Sequence, residues 1–213
     1  MLLSRPGRGA ALLAAGAAAV ACGDDAPTSC PIGDRALPIE VVAVHWPADG
    51  GAVVELVDGG AVDLVRPLQG GKVIFVGVRA RNVDGCALQL TAALRDPATM
   101  QVIALEQRPA RLVAGSDGWG HVASPFDDLA NVPACPNAAA ARDVDGASWR
   151  LELRLEEPGG RMAETSLTVR PRCGLAEQLD ECECECDSDY ELGGACPTDP
   201  EPGDAGVAPG PGA

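Results

Sequence analysis

Aromatic side chains are scarce in this chain. Three Trp, two Phe and one Tyr make up 3% of its 213 residues. A core built from it is therefore aliphatic, and each ring carries more of the packing than usual. Lysine is scarcer still, with Lys72 the single one among 16 basic residues. Histidine occurs only at His45 and His121, in no metal-ligand spacing such as His-x-x-x-His. No apolar run of about 18–20 residues follows residue 21, which excludes a polytopic helical membrane protein. There is no phosphate-binding Gly-Lys-Ser/Thr loop and no Gly-x-Gly-x-x-Gly turn. Ala114-Gly115-Ser116-Asp117-Gly118 approaches the Gly-x-Ser-x-Gly elbow of serine hydrolases. It lacks the first Gly and the strand-to-helix context that the elbow needs. No pair of carboxylates is singled out for glycosidase chemistry. Positive charge is also deficient. The formal net charge is −15, and such a surface repels a phosphate backbone, so no nucleic-acid partner is expected. The expectation is a non-enzymatic protein with no cofactor.

The acidity is uneven. From Gly174 to Ala213 there are 11 acidic residues and no basic one. The segment from Gly23 to Cys173 is only mildly acidic. Arginine in place of lysine, with abundant Ala, Gly and Pro, suggests a GC-rich bacterial genome.

Residues 1–21 have the plan of a secretory signal peptide. Arg5 and Arg8 precede a short run, Gly9 to Ala21, made almost wholly of Ala, Leu, Val and Gly. The run ends Ala19-Val20-Ala21-Cys22. This resembles the lipobox of bacterial lipoproteins, with Ala19 where Leu is usual. The resemblance covers residues 1–23 and implies that Cys22 is the lipid-anchor residue, acylated at sulfur and exposed as the mature N-terminus. It implies a protein held on a bacterial membrane in the cell envelope, at the outer membrane or the periplasmic face. Residues 22–35 would then be the lipidated Cys and a linker.

Cysteine is abundant. Besides Cys22 there are Cys30, Cys86, Cys135, Cys173, Cys182, Cys184, Cys186 and Cys196. An even number in an exported chain reads as up to four disulfides. Eight cysteines allow many connectivities, but position suggests one. Cys30 and Cys173 flank the central segment and would join its ends. Cys86 and Cys135 would pair, and the last four would pair among themselves. The alternative is an envelope metal-binding protein. In it, Cys182, Cys184 and Cys186, at alternate positions, share a soft metal such as zinc or copper(I).

Residues 36–173 read as an all-β domain, an antiparallel two-sheet β-sandwich. Short β-branched runs alternate with Gly, Pro and Asp. Ile39 to His45, Ala52 to Val57 and Ala61 to Val65 are three such runs. Asp58-Gly59-Gly60, between the second and third, is a hairpin signal. In Lys72 to Val83, residues Ile74, Val76, Val78 and Ala80 would face inward, and Arg79 and Arg81 outward. Ala87 to Arg95 and Gln101 to Glu106 follow. The clearest hairpin pairs Trp149, Leu151, Leu153 and Leu155 with Ala163, Thr165, Leu167 and Val169 across Pro158-Gly159-Gly160. The number and spacing of strands resemble the pattern of immunoglobulin-like domains, without the Cys-Trp-Cys spacing of antibody domains. Trp149 fits the core, and Trp46 would cover one end of the sandwich.

Between Gly115 and Ala147 no strand signal persists. A connection this long is usually functional or disordered. Its aromatics and Cys135 argue for an ordered loop packed on the body, pinned by a disulfide. Trp119, His121, Phe126, Asp127 and Asp128 are its candidate binding residues, for a protein or glycan partner in the envelope.

Residues 174–197 form an acidic Cys-rich segment. Asp187-Ser188-Asp189-Tyr190-Glu191 partly resembles a calcium loop, with Gly193 one place late and Thr198 at the closing Glu position. Residues 198–213, of Pro, Gly, Ala and acid, cannot bury enough apolar area to fold and are expected to be disordered.

Overall fold

Period-two alternation of apolar and polar residues builds most of the described molecule. The computed structural model describes residues 29–68, 70–191 and 193–196. Residues 1–21 and Cys22, expected to be the signal segment and the lipid anchor, and the tail 198–213 lie outside the described residues. In chain order the strands are β1 (Pro31–Ile32), β2 (Glu40–His45), β3 (Val54–Glu55), β4 (Gly60–Leu64), β5 (Lys72–Arg81), β6 (Val83–Asp84) and β7 (Leu88–Arg95). Then come β8 (Val102–Ala110), β9 (Leu112–Ala114), β10 (Gly120–Val122), a helical turn α1 (Pro125–Asp128), and β11 (Ala130–Cys135). The chain closes with β12 (Trp149–Glu156), β13 (Met162–Cys173) and helix α2 (Leu179–Cys186).

Two sheets face each other. Sheet I runs β3-β2-β5, and the far edge of β5 is shared by β11 and by β10, which continues to β9. Sheet II has the order β4-β13-β12-β7-β8. Between them lie Ile74, Val76 and Val78 of β5, Leu90 and Leu94 of β7, and Trp149, Leu151, Leu153 and Leu155 of β12, none more than 3% exposed. Each buried aliphatic side chain of this size contributes about 1.5–3 kcal/mol. Trp149 is fully buried, its indole N–H donates to the Val144 carbonyl, and Arg142 covers its ring.

The β12–β13 hairpin has the register expected from its alternation. Leu151 opposes Leu167, Leu153 opposes Thr165 and Leu155 opposes Ala163. Gly160, at φ +80°, supplies the left-handed position that closes the turn. In β5 the expected inward set is buried, but so are Val73 and Phe75 on the opposite face.

Three expectations are corrected. The Asp58-Gly59-Gly60 turn does not make a hairpin. It carries the chain from sheet I to sheet II, since β3 pairs with β2 while β4 pairs with β13. A tight turn of this kind reverses or redirects a chain equally well, and the partner strand decides which. The β4–β13 pair is parallel, running from Gly60 opposite Val169 to Leu64 opposite Cys173, so the sandwich is not wholly antiparallel. Third, the 115–147 stretch is not one loop, because it contains β10, α1 and β11. Strand β11 pairs with β5 from Ala130 opposite Val76 to Cys135 opposite Lys72. Its sequence, Ala-Asn-Val-Pro-Ala-Cys, has one β-branched residue and a proline. Pro133 is exposed on this outer strand, next to a register shift between Pro133 and Cys135. Proline, with no N–H to give, is tolerated at an edge and at a bulge.

All eight cysteines from Cys30 onward form disulfides, and only Cys184–Cys196, within the acidic segment, agrees with the expected pairing. The pairs are Cys30–Cys86, Cys135–Cys186, Cys173–Cys182 and Cys184–Cys196. Cys30 cannot reach Cys173, because β1 pairs with β6 and Gly85 N–H donates to the Cys30 carbonyl, which sets Cys30 beside Cys86. Two cysteines of the acidic segment bond to the body rather than to each other. Helix α2 turns Cys182 and Cys186 onto its buried face, against the ends of β13 and β11. Cys184, two residues on, points elsewhere around the helix and bonds Cys196.

Candidate binding surface

The outward-facing positions of β5 follow from the same alternation. Val73, Phe75, Gly77, Arg79 and Arg81 share the face of sheet I that turns away from the core. Most of that face is covered rather than wet. Leu129, which follows α1, sits on Gly77, where a Cβ would come within 2.5 Å of the Leu129 side chain. Leu129, Val44, Val73 and Phe75 form a second small apolar cluster there. Asp128 anchors this cover. Its carboxylate accepts from the backbone N–H of Ser124 and of Arg111, each at 3.0 Å, and it is buried. Arg108 adds two bonds, to the carbonyls of Phe126 and Leu129.

Two aromatic clusters emerge from the cover. In the first, Trp46, Phe75 and Phe126 pack edge to face, with centroids 4.7–5.6 Å apart. Trp46 is held by its own backbone N–H to the Phe75 carbonyl and by its indole N–H to the Gly51 carbonyl. Phe75 is buried beneath, while Phe126 is 62% exposed. In the second, the Trp119 ring meets the guanidinium carbons of both Arg79 and Arg81, each 4.9 Å from its centroid. Glu55 pairs with Arg79, and Glu40 with Arg81 at 2.6 Å, so neither arginine is free to swing away. Phe75 and Arg79 are four residues apart on one strand, about 13 Å. Beside Arg79 lies a groove of about 490 Å³ lined by Val44, Gly51, Val53, Arg79, His121 and Pro125 among others. Four of the six aromatic residues thus serve one face; only Trp149 and Tyr190 lie elsewhere.

No family model, curated protein or solved structure matches the chain.

The five candidate residues divide. His121 lines the groove, Trp119 stacks on Arg79, which also lines it, and Phe126 follows the lining residue Pro125. His121 Nε2 lies 3.0 Å from Asp117, whose carboxyl is held below the usual carboxylate range by that bond and by the Trp119 N–H. Asp127 is exposed and accepts from the Ser124 hydroxyl at 2.8 Å. Asp128 is the buried backbone anchor described above. Sequence reasoning missed Phe75, Arg79 and Arg81 as members of the face. The signal was there: Phe75 has the same strand parity as the two arginines assigned to the outside.

The outer face of sheet II is different. Arg95 and Arg150 both pair with Glu152, at 2.6 and 3.0 Å, and Arg154 pairs with Glu156 at 2.8 Å. The Arg95 guanidinium, first, and Arg150 hold the Glu152 carboxyl below its ordinary value. Its charges neutralise one another along β12 and across to β7, as on a solvated sheet face.

At one end of the sandwich is a buried polar pair. His45 is 8% exposed and its Nδ1 has no hydrogen-bond partner among the described residues. Burial lowers its pKa below 6.5 and Arg172 adds to this, with Asp63 opposing. At Asp63 burial works against the charge. The Ala48 N–H and the Arg172 guanidinium outweigh it and hold the carboxyl below 3.8.

The alternative metal cluster does not assemble as expected. The sulfurs of Cys182 and Cys186 converge with that of Cys173, while Cys184 is bonded to Cys196. Alternate residues share a side in a strand, but lie on opposite sides of a helix.

Proposed function

We propose that this protein is a membrane-anchored, non-enzymatic binding module of a bacterial cell envelope. It is tethered through lipid on Cys22 and carried on an immunoglobulin-like sandwich. The observation that carries this reading is the aromatic and arginine face of sheet I. A chain so poor in rings places Trp46, Phe126 and Trp119 on one outer face, over the buried Phe75 and beside a groove that Arg79 lines. Aromatic and arginine side chains are the residues that dominate recognition surfaces. Four disulfides among the described residues are typical of chains that mature in an oxidising compartment. The chain switching between sheets, and two sheets stacked over one core, support the immunoglobulin-like reading.

The test uses the three indole N–H groups as reporters. Two-dimensional NMR spectra of the domain are recorded during titration with soluble envelope glycans and with envelope protein extracts fractionated to purity. A binding module of this kind shifts the Trp46 and Trp119 indole signals and leaves that of Trp149, and the Trp119→Ala and Phe126→Ala variants do not bind. A partner that perturbs the Arg95–Glu152 face of sheet II instead would overturn the assignment of the surface.

A further inference from the structure

The junction between helix α2 and the sandwich brings four sulfurs together from three parts of the chain. Cys182 and Cys186, four apart on one face of α2, are each 3% exposed. Cys173 ends β13 and Cys135 ends β11. The sulfurs of Cys173, Cys182 and Cys186 all lie within 4.8 Å of one another. Cys135 is bonded to Cys186, so the fourth sulfur adjoins the group. A tetrahedral zinc tetrathiolate, with Zn–S of about 2.3 Å, needs its sulfurs about 3.8 Å apart. The Cys182-x-x-x-Cys186 spacing is within the range that structural zinc sites use.

A second observation lies at the same place. Lys72, opposite Cys135 in the β5–β11 ladder, is the chain's single lysine and is 2% exposed. Its ammonium is 3.0 Å from Glu185 and 3.9 Å from Glu181, yet it makes no hydrogen bond of good geometry. Arg66 pairs with Glu181 from outside at 2.7 Å. Two cations against two carboxylates leave this wall of the junction neutral, with ammonium protons to spare. On the other side Asp143, Asp145, Asp180, Glu183 and Asp187 line a cleft with Cys186, and this acidic side favours a bound cation over uncompensated thiolates.

We propose that, when the Cys135–Cys186 and Cys173–Cys182 bridges are open, Cys135, Cys173, Cys182 and Cys186 form a tetrathiolate site for zinc. Opening the bridges consumes two equivalents of a dithiol reductant, which leaves as two disulfides, and yields four thiols. Binding one Zn²⁺ to the four thiols then releases four protons. The same four residues would fasten α2 in either state, by covalent bonds when oxidised and by metal when reduced. Cys184–Cys196 and Cys30–Cys86 take no part.

Cobalt(II) is the probe. The full-length chain is reduced anaerobically with a phosphine and titrated with Co²⁺, then with Zn²⁺. The proposal predicts red ligand-field bands and near-ultraviolet thiolate charge-transfer bands of a tetrahedral sulfur site, saturating at one Co²⁺ per chain and erased by Zn²⁺. The spectrum persists in Cys184→Ser/Cys196→Ser. It is lost in Cys182→Ser/Cys186→Ser, with affinity reduced about a hundredfold or more. Circular dichroism accompanies each titration. If the reduced chain unfolds, metal restores its β-sheet signal, as it does for domains whose site forms only on folding. The proposal is overturned if the reduced chain gives no one-to-one cobalt spectrum, folded or not. It is also overturned if the spectrum survives in Cys182→Ser/Cys186→Ser or vanishes in Cys184→Ser/Cys196→Ser.

Discussion

Lys72, the chain's single lysine, lies buried at the start of β5 with its ammonium 3.0 Å from the Glu185 carboxylate of α2. This ion pair fastens the last helix to the central strand beside the Cys135–Cys186 bridge. Removing one partner leaves the other charge without its mate in a poorly hydrated place. Lys72→Met should destabilise the protein by about 2–4 kcal/mol in denaturant unfolding. Adding Glu185→Leu to it should recover part of that loss. A double variant at least as unstable as the sum of the two single changes would show that the pair is not coupled.

Gly85 has no room for a side chain. A Cβ there would come 2.5 Å from the Leu112 carbonyl oxygen and 2.7 Å from Ile32. Backbone cannot step aside as a side-chain tip can. Gly85→Ala should therefore cost about 2 kcal/mol or more. Gly159→Ala, with nothing within 4 Å and no left-handed φ, should be within about 0.5 kcal/mol of wild type. The pair of thermal midpoints checks both.

His45 gives a pH dependence with a definite sign. Burial lowers its pKa from 6.5, so the unfolded chain takes up a proton before the folded one does. Its contribution to stability is therefore complete above about pH 6.5. It declines as pH falls through that value towards the lowered pKa of the folded state. Asp63, also lowered, contributes above 3.8 and loses its contribution in more acid solution. Unfolding free energy measured between about pH 7.5 and about pH 5 should fall for wild type. In His45→Gln it should be flatter over the same range. Equal slopes would assign the titration elsewhere.

The two accessible roles of tryptophan separate by stability. Trp149 is fully buried, so Trp149→Ala should cost about 3–5 kcal/mol. Trp119 rests on two arginines at the surface, where each cation–π contact contributes about 0.5–1 kcal/mol. Trp119→Ala should therefore lose no more than about 2 kcal/mol while abolishing partner binding.

What the sequence made legible follows strict alternation. The β12–β13 hairpin, the inner face of β5 and the burial of Trp149 were readable because period two and a Gly turn are local properties. Strand β11 was hidden, since Pro133 and the small residues around it imitate a loop until β5 supplies a partner. The turn at Asp58-Gly59-Gly60 looked like a hairpin because local conformation does not say which strand waits on the other side. Disulfide partners depend on which strand ends meet. Cys182, Cys184 and Cys186 read as a cluster only if the backbone is extended, and α2 winds them apart. The candidate face was half visible. Trp119, His121 and Phe126 were marked by their loop, and the strand parity of Phe75, Arg79 and Arg81 put them on one side of β5, but only the packing of Trp119 and Phe126 on that side joins the two sets.

The central claim, an anchored and disulfide-braced binding module, is tested most directly by intact mass. The protein is taken from its native membrane and alkylated with and without prior reduction. The account predicts a chain beginning at Cys22 and carrying acyl mass, with eight thiols alkylated only after reduction. A chain without acyl mass, or thiols alkylated before reduction, would contradict it.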